Sequence, residues 1–265
     1  EYGIYLYESS NNTIVNNTVS SNNWYYGINL YESSNNTIVN NTVSSNNEYG
    51  IYLQYSSNNN IIANNTFHLN GMFVRDSYSN KVTNNTVNGK PLVYLENVND
   101  YVVEDAGQVI AVNSNNITVE NSNLSHASVG VEFWKTSNSK IINNTASNNW
   151  WDGIHLYSSS NNTIANNNAS SNHYGDGIDL RYSSNNTIAN NTVSNNWWDG
   201  IRLYKSSSNI IANNNASSNA GNGIYLYESS SNTIANNNVS SNNWYGIYLY
   251  ESSNNTIVNN TVSSN

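Results

Sequence analysis

The sequence predicts an all-β fold, a right-handed parallel β-helix (a solenoid) of about twelve coils in which residues 1–265 form a single domain. Two observations predict it. A glycine followed by an apolar residue returns from Gly3 to Gly246, mostly at intervals of 23 or 24 residues, and a period of this length is typical of a solenoid. Within each period, apolar residues alternate with polar ones, as β-strands require.

Each coil is predicted to turn its aliphatic residues inward. In residues 3–22, Ile4 and Leu6 share one face of a first strand, and Tyr5 and Tyr7 share the other. The Asn residues at the bends between strands are placed on the inward side, because Asn tolerates the left-handed conformation that a bend needs. Stacked coil on coil, their amides can form a ladder of hydrogen bonds.

Residues 88–107 break this period and contain the only proline, Pro91. We interpret the stretch as an irregular, shortened coil around Leu92–Leu95, with a protruding loop over residues 96–105. A regular coil over residues 108–127 is then expected to resume the helix.

The coil pattern GIxLxxSxxNxIxxNxxSxN, together with NGKPLVYLEN and GQVIAVNSNNITVENSNLS, resembles the NosD-like family of parallel β-helix repeats. That family is often grouped with carbohydrate-binding and sugar-hydrolase (CASH) domains, and the resemblance covers essentially the whole chain. Its archaeal members are secreted or associated with surface layers, so the resemblance implies an extracellular or cell-surface location. Copper handling is not expected, because the chain has no Cys and a single Met.

The composition excludes several functional classes. Only 9% of the residues are charged, and 17 acidic against 8 basic residues give a net charge of −9, whereas nucleic-acid binding needs clustered Lys and Arg. No apolar run reaches the length of a transmembrane segment. Disulfides and thiolate metal sites are excluded by the lack of Cys.

Both ends of the sequence look like ordinary coils. The chain begins at Glu1, and residues 246–265 repeat residues 3–22, whereas solenoids normally end in atypical caps. We therefore expect either a segment of a longer protein or an uncapped subunit that associates with its own copies, head to tail or laterally.

Charged residues recur at equivalent positions of consecutive coils, where stacking would bring them together. Paired carboxylates can act as general acid and base, and their separation distinguishes retaining from inverting glycosidases. The alternative is a ladder of opposite charges that only holds the register.

No complete catalytic motif is matched, so activity stays open; an enzyme would be a glycoside hydrolase or a polysaccharide lyase. No cofactor is expected, with calcium as the one ion to consider. The candidate catalytic residues are Asp152, His155, Asp176, Asp179, Asp199 and Arg202.

Aromatic residues are too numerous for the small inward set, so many must lie outside. Rings on the outer face can stack on sugars or on one another along the sheet, and we favour self-stacking with lateral contact. Tryptophans precede the first strand of several coils, including Trp24 and Trp244. The candidate sugar contacts are Trp150, Trp151, Trp197, Trp198 and Tyr204.

The tripeptide Asn-x-Ser/Thr, the acceptor for N-glycosylation, recurs in the regular coils. Each acceptor is expected to face solvent beside an inward Asn. Asn-Asn-Thr repeats create the tripeptide automatically, so only a subset is expected to carry sugar. The candidate acceptors are Asn11, Asn16, Asn35, Asn40, Asn64, Asn84, Asn143, Asn161, Asn185, Asn190, Asn254 and Asn259.

Two functions follow from these patterns. The favoured one is a structural protein of an extracellular surface layer, sheath or filament, in which the β-helix is a stiff glycosylated rod. The rival is a carbohydrate-binding or polysaccharide-cleaving domain that uses the outer face of residues 132–205.

Overall fold

The computed structural model describes residues 2–22 and 25–265, so Trp24 lies outside the described residues. They form 32 β-strands of a right-handed parallel β-helix, which confirms the predicted fold. The helix has about eleven turns rather than twelve. In the described residues there is no helix that could cross a membrane.

The first block of coils contains twelve strands. They are β1 Ile4–Tyr7, β2 Thr13–Val15, β3 Thr18–Ser20, β4 Ile28–Tyr31, β5 Thr37–Val39, β6 Thr42–Ser44, β7 Ile51–Gln54, β8 Ile61–Ala63, β9 Thr66–His68, β10 Met72–Arg75, β11 Lys81–Thr83 and β12 Thr86–Val87.

The second block contains the remaining twenty strands. They are β13 Lys90–Glu96, β14 Asn99–Val103, β15 Gln108–Val112, β16 Asn115–Glu120, β17 Val131–Trp134, β18 Lys140–Ile142, β19 Ile154–Tyr157, β20 Thr163–Ala165, β21 Ile178–Arg181, β22 Thr187–Ala189, β23 Thr192–Ser194, β24 Ile201–Tyr204, β25 Ile210–Ala212, β26 Asn215–Ser217, β27 Ile224–Tyr227, β28 Thr233–Ala235, β29 Asn238–Ser240, β30 Ile247–Tyr250, β31 Thr256–Val258 and β32 Thr261–Ser263.

Equivalent strands of successive coils pair in parallel. In the first block, β1-β4-β7-β10 and β2-β5-β8-β11 form separate sheets. In the second block, β13-β15-β17-β19-β21-β24-β27-β30 form what we call the front sheet. Identical residues meet across the ladders, for example Ile178 with Ile201 and Ile201 with Ile224, so the predicted register is confirmed.

Inward aliphatic residues and Asn ladders build the interior. Ile188, Leu203 and Ile211 are fully buried. Beside them, Asn191 Oδ1 accepts hydrogen bonds from Asn167 N and Nδ2 at 2.9 and 3.0 Å. This pattern repeats along the stack, which confirms the predicted amide ladder and satisfies buried backbone groups at each bend. The left-handed conformation predicted for the inward Asn is instead adopted by the exposed residue that precedes it.

Residues 88–107 reverse the chain and shift the phase of the coils. Strand β12 pairs with β9 in parallel but with β13 antiparallel, so the third sheet of the first block continues into the front sheet. The loop predicted over residues 96–105 is wrong in its larger part, because β14 pairs in parallel with β16 and completes a short coil.

The first block ends against the outer face of the front sheet. Ile110, Val112 and Trp134 point away from the core of the second block and join the hydrophobic core of the first. The free edge of β10 is covered by side chains: Gln108 Nε2 donates to Met72 O at 2.7 Å, and Met72 N donates to Gln108 Oε1 at 2.9 Å. The axis of the first block therefore stops at the side of the second block, and a corner forms between them.

Candidate functional site

Stacking brings charged residues together on the front sheet near this corner. Glu132, His155, Asp179 and Arg202 occupy the same position of four consecutive strands. His155 Nδ1 lies 2.9 Å from Asp152 Oδ2 and 3.4 Å from Asp179 Oδ2. The predicted column of neighbouring opposite charges is therefore present, and it lies under the surface of the sheet.

Asp152, Asp176 and Asp199 form a second column at the turn before the front sheet. The Oδ1 atom of each accepts a backbone hydrogen bond from the next coil, given by Asp176 N at 2.8 Å, Asp199 N at 2.7 Å and Asn222 N at 2.7 Å. None of the three aspartates is more than 5% exposed. These carboxylates hold adjacent coils together, and their burial does not favour the predicted acid and base roles on a surface-bound sugar.

Two arginines balance the buried carboxylates. Arg181 Nε donates to Asp179 Oδ2 at 2.6 Å, whereas Arg202 Nη1 lies 3.9 Å from Asp176 Oδ2. The Arg181 contact is a charge-assisted hydrogen bond, whereas the Arg202 contact is an ion pair without a hydrogen bond. Arg202 is therefore the less well partnered of the two cations.

Burial and ion pairing set the pKa values of the cluster. Burial would lower the pKa of His155, but its hydrogen bonds to Asp152 and Asp179 raise it to about 9. Burial would raise the pKa of Asp179, but the charge of Arg181 and the contact with His155 hold that pKa below its usual range. His155 is an imidazolium at neutral pH and has no lone pair with which to abstract a proton.

Asp152, His155 and Asp179 have ligand atoms within 4.8 Å of one another, the only such group of metal-binding side chains among the described residues. Calcium prefers about six to eight oxygen ligands, whereas this trio supplies two carboxylates and an imidazole. Any metal would also have to displace the shared proton of His155. Calcium therefore stays a prediction that this geometry does not favour.

A cleft of about 210 Å³ opens beside the cluster, where the first block meets the second. Tyr49 and Phe73 stack at 4.7 Å between ring centres, Trp151 lies 6.3 Å from Tyr49, and the edge of His155 meets Phe73 at 5.6 Å. We call this the junction cleft. It is lined by Tyr26, Glu48, Tyr49, Tyr52, Phe73 and Arg75 from the first block and by Trp134, Trp151, His155, Tyr157 and Arg181 from the second.

Arg75 lies on the wall of the junction cleft and is exposed. Its guanidinium carbon is 5.0 Å from the ring centre of Tyr55, which is a cation–π distance. Within residues 2–22 and 25–265, no carboxylate approaches its nitrogens to within 4 Å. The guanidinium of Arg75, which has no carboxylate partner among the described residues, is therefore available to a ligand in the junction cleft of this acidic protein.

Glu132 lies beneath the corner and fastens the two blocks together. Its carboxylate oxygens accept from Val74 N at 3.1 and 3.3 Å, and the residue is fully buried. Burial raises the pKa of Glu132 to about 8, although His155 and the Val74 N–H act to lower it. Glu132 is therefore largely protonated at neutral pH.

The predicted aromatic sugar contacts separate into different environments. Trp150 Nε1 donates to Leu69 O at 2.7 Å and so joins the two blocks, and Trp151 lines the junction cleft. Trp197 and Trp198 are 56% and 42% exposed and lie outside that cleft. Only Trp151 of these four tryptophans belongs to the junction cleft.

Tyr204 belongs to a column of rings that stack on one another. Its ring lies 5.0 Å from that of Tyr227 with an interplanar angle of 13°, and Tyr227 lies 5.2 Å from Tyr250. Stacked rings cover each other's faces and leave their edges to solvent, so the faces that a sugar would contact are occupied. This geometry agrees with the self-stacking interpretation.

The twelve predicted glycosylation acceptors are all exposed and all adopt positive φ. Asn161, for example, has φ 60°, and the neighbouring Asn162 is buried in the ladder. The expected solvent-facing placement is confirmed. Whether sugars are attached stays a prediction.

Sequence reasoning missed the contribution of the first block to the site. Tyr49, Phe73 and Arg75 reach the cleft only because the chain reverses after Val87, and they meet residues about 80 to 100 positions later. The only sequence signal was the broken period around Pro91. A break in phase predicts an irregularity but not which surfaces it joins.

Solved structures with a similar fold include two epimerases. The periplasmic alginate epimerase AlgG is 14% identical, with a TM-score of 0.56, over 94% of this chain and 76% of that one. The A-module of the mannuronan C-5 epimerase AlgE4 of Azotobacter vinelandii is 14% identical, with a TM-score of 0.54, over 95% of this chain and 87% of that one. At this identity the likeness concerns the fold alone.

Among curated proteins, none matches the chain. The family model described as the right-handed beta helix region matches residues 1–138, 89–175 and 129–265, which together span the whole chain. The chain therefore belongs to the right-handed β-helix family.

Proposed function

We propose that this protein acts outside the cell or at its surface and binds an acidic polysaccharide in the junction cleft. The observation that carries the proposal is the combination of an aromatic cleft with Arg75, which lacks a carboxylate partner among the described residues. Aromatic walls suit the apolar faces of a sugar ring. A guanidinium that has no carboxylate partner in the protein suits a carboxylate on that ring, because the two groups match in geometry and charge.

The size and openness of the cleft support a chain rather than an isolated small molecule. Its volume of about 210 Å³ is below the range of about 300 to 1,000 Å³ typical of pockets that enclose a whole drug-sized ligand. One sugar unit can be held while its neighbours extend along the corner. Two structural neighbours carry alginate and mannuronan in their names, which is compatible with a polysaccharide ligand.

Binding is favoured over cleavage. His155 holds a proton at neutral pH, and the Asp152, Asp176 and Asp199 carboxylates accept backbone hydrogen bonds below the surface. A proton-abstracting base at the cleft is therefore not provided by the predicted catalytic set. The outer face of residues 132–205 contributes to the proposed site only at its end nearest the corner.

The test replaces Arg75 and measures binding of a uronate hexasaccharide by calorimetry. Arg75→Gln is expected to weaken binding about 10-fold or more, because hydrogen bonds to a charged group are worth about 1.5–3 kcal/mol. Lys205→Gln is the matched control: it also removes one positive charge, and Lys205 is paired with Glu228 at 3.3 Å and does not line the cleft. It should change affinity less than about 2-fold. Equal losses in both variants, or no binding by the unmodified protein, would contradict the proposal.

A structural role is the second candidate, supported by the identity of residues 3–22 and 246–265. Both stretches fold as the same three strands, so the exposed edges of two copies match in register and can pair. The exposed acceptor asparagines would make such a rod a glycoprotein. Sedimentation velocity across a concentration series tests the association, and a strict monomer at high concentration contradicts it. As part of this same proposal, the protein is related to the NosD-like β-helix proteins and to their archaeal members.

A further inference from the structure

A small notch lies on the second block, and its lining residue Arg202 is one coil beyond Arg181 of the junction cleft. In the column just before the front sheet, Gly221 N donates to Trp198 O at 2.9 Å, and Trp244 N donates to Gly221 O at 3.1 Å. Gly221 has no side chain, so the indoles of Trp198 and Trp244 face each other across a gap, with ring centres 6.0 Å apart at 75°. We call this gap the tryptophan notch.

Glycine at this position is a packing requirement of the coil. A Cβ on Gly221 would lie 2.7 Å from Asp199 Oδ1 and 2.9 Å from the backbone of Trp198. The neighbouring column, by contrast, is filled by rings, since Tyr174 stacks on Trp150 at 6.0 Å and lies 6.0 Å from Trp197. In the column of the notch itself, tryptophan and glycine alternate, because Gly175 occupies the equivalent place between Trp151 and Trp198. The notch is the gap between the last two indoles of this column.

The tryptophans of the notch remain open to solvent. Trp198 is 42% exposed and Trp244 is 56% exposed, and with Tyr225 they supply three aromatic walls. The enclosed space is about 220 Å³, and Asp199, Arg202 and Asn222 complete its lining. Unlike the rings of the tyrosine column, these indoles meet edge to face, which leaves ring face available to a ligand.

Two polar atoms beside the notch have no partner in the protein. Asn222 Nδ2 donates to Asp199 Oδ1 at 2.8 Å, which orients the amide and leaves Asn222 Oδ1 buried and without a hydrogen bond. Arg202 Nε is likewise buried and unpaired. Asn222 as a whole is only 2% exposed. A buried polar group left unsatisfied costs about 1–3 kcal/mol, so a ligand that supplies hydroxyl groups would relieve both defects.

We infer that the tryptophan notch is a second carbohydrate-binding site, which takes one neutral pyranose unit of a glycan. The indole faces pack against the C–H face of the sugar, and its hydroxyls face Asn222 and Arg202. Small side-chain shifts must bring Asn222 Oδ1 and Arg202 Nε into reach, because both atoms are buried in this structure. A neutral unit fits better than an acidic one, because Asp199 in the same wall offsets the charge of Arg202. The site stands on its own residues and does not rest on the function of the junction cleft.

The test measures binding of neutral hexasaccharides of glucose, mannose, galactose and xylose, with the uronate hexasaccharide alongside. Trp198→Ala and Trp244→Ala are each expected to weaken binding of the best neutral glycan at least 10-fold. Trp197→Ala is the matched control: it removes an exposed indole of the same coil as Trp198 that does not line the notch. It should change affinity less than about 2-fold.

Two outcomes overturn the inference. One is the absence of binding to every neutral hexasaccharide at millimolar concentration. The other is an equal loss in Trp197→Ala and Trp198→Ala, which would indicate nonspecific aromatic contact. Thermal unfolding of each variant verifies the fold. Uronate binding that survives in Trp198→Ala and fails in Arg75→Gln separates this site from the junction cleft.

Discussion

The regular coils of the second block and the corner between the blocks are stabilised in opposite ways. In the regular coils, one contact is repeated at every level: Asn191 Oδ1 accepts from Asn167, and Asn214 Oδ1 accepts from Asn191 N and Nδ2. Serine columns behave alike, as when Ser183 N donates to Ser206 Oγ at 2.9 Å. Each coil there depends only on its neighbours, as in other solenoids.

The corner depends on contacts that occur once. Gln108 satisfies the free edge of β10, Glu132 accepts from Val74 N, and Gly71 N donates to Ser128 Oγ at 2.9 Å. Trp134 Nε1 donates to Tyr78 Oη at 2.9 Å. These side chains replace the next coil that the first block lacks, so that its final strand edge does not stay open.

This difference explains where a binding site can form. A repeating coil presents the same shallow surface at every level, and its polar groups are already used by the coil above and below. Concave surfaces arise where the repeat fails: at the corner, where two blocks meet, and at Gly221, where a ring is missing from the column. The hydrogen-bond ladders make the coils rigid, and the irregular places form the concave surfaces that can bind a ligand.

The largest expected effect comes from breaking a ladder in a regular coil. Asn191→Ala removes the acceptor of Asn167 N and Nδ2 and the donor to Ile164 O, at 2.9 Å. Asn167 N would lose its acceptor, and Asn167 Nδ2, Ile164 O and Asn214 Oδ1 would each lose one hydrogen bond. We therefore expect the free energy of unfolding in urea to fall by about 3–5 kcal/mol.

The control is the adjacent Asn190, which is exposed and has φ 58°. Asn190→Gly keeps the left-handed bend without steric cost and should change the free energy of unfolding by less than about 1 kcal/mol. If both variants were equally destabilised, the ladder would not be what holds the coils.

The same comparison explains what the sequence could and could not predict. The inward residues Ile188 and Leu203, the Asn ladder and the charge column follow from periodicity, because residues one period apart become neighbours. The corner could not be predicted from periodicity. The contact between Glu132 and Val74 spans 58 residues, and the type of neither residue indicates that the two meet. The charge pattern also did not show that the Asp176 and Asp199 carboxylates accept backbone N–H groups of the next coil.

The next effect is the pH dependence of the corner. The pKa of Glu132 is raised from 4.5 to about 8 in the folded protein, so the folded state holds an extra proton between these values. Stability contributed by Glu132 is therefore fully present below about pH 4.5 and is lost progressively as pH rises from there through 8, by on the order of 4 kcal/mol. His155, with a pKa raised from 6.5 to about 9, contributes in the same direction at higher pH.

Glu132→Gln resembles the protonated acid and should flatten this dependence. We expect urea midpoints measured at pH 5, 6.5 and 8 to fall less steeply in Glu132→Gln than in the unmodified protein. Glu228→Gln removes a carboxylate paired with Lys205 on the surface and should keep the original slope. An unchanged slope in Glu132→Gln would mean that this carboxyl is already ionised in the folded protein.

The smallest expected effect tests the tyrosine column of the regular coils. Tyr227 stacks between Tyr204 and Tyr250, with ring centres 5.0 and 5.2 Å away. Tyr227→Ser removes both ring contacts and should lower the free energy of unfolding by about 1–2 kcal/mol, since each cross-strand aromatic pair is worth about 0.5–1 kcal/mol. Tyr227→Phe keeps the stack and should lie within about 0.5 kcal/mol of the unmodified protein. A loss of equal size in Tyr227→Phe would assign the stabilisation to the hydroxyl rather than to the stacked faces.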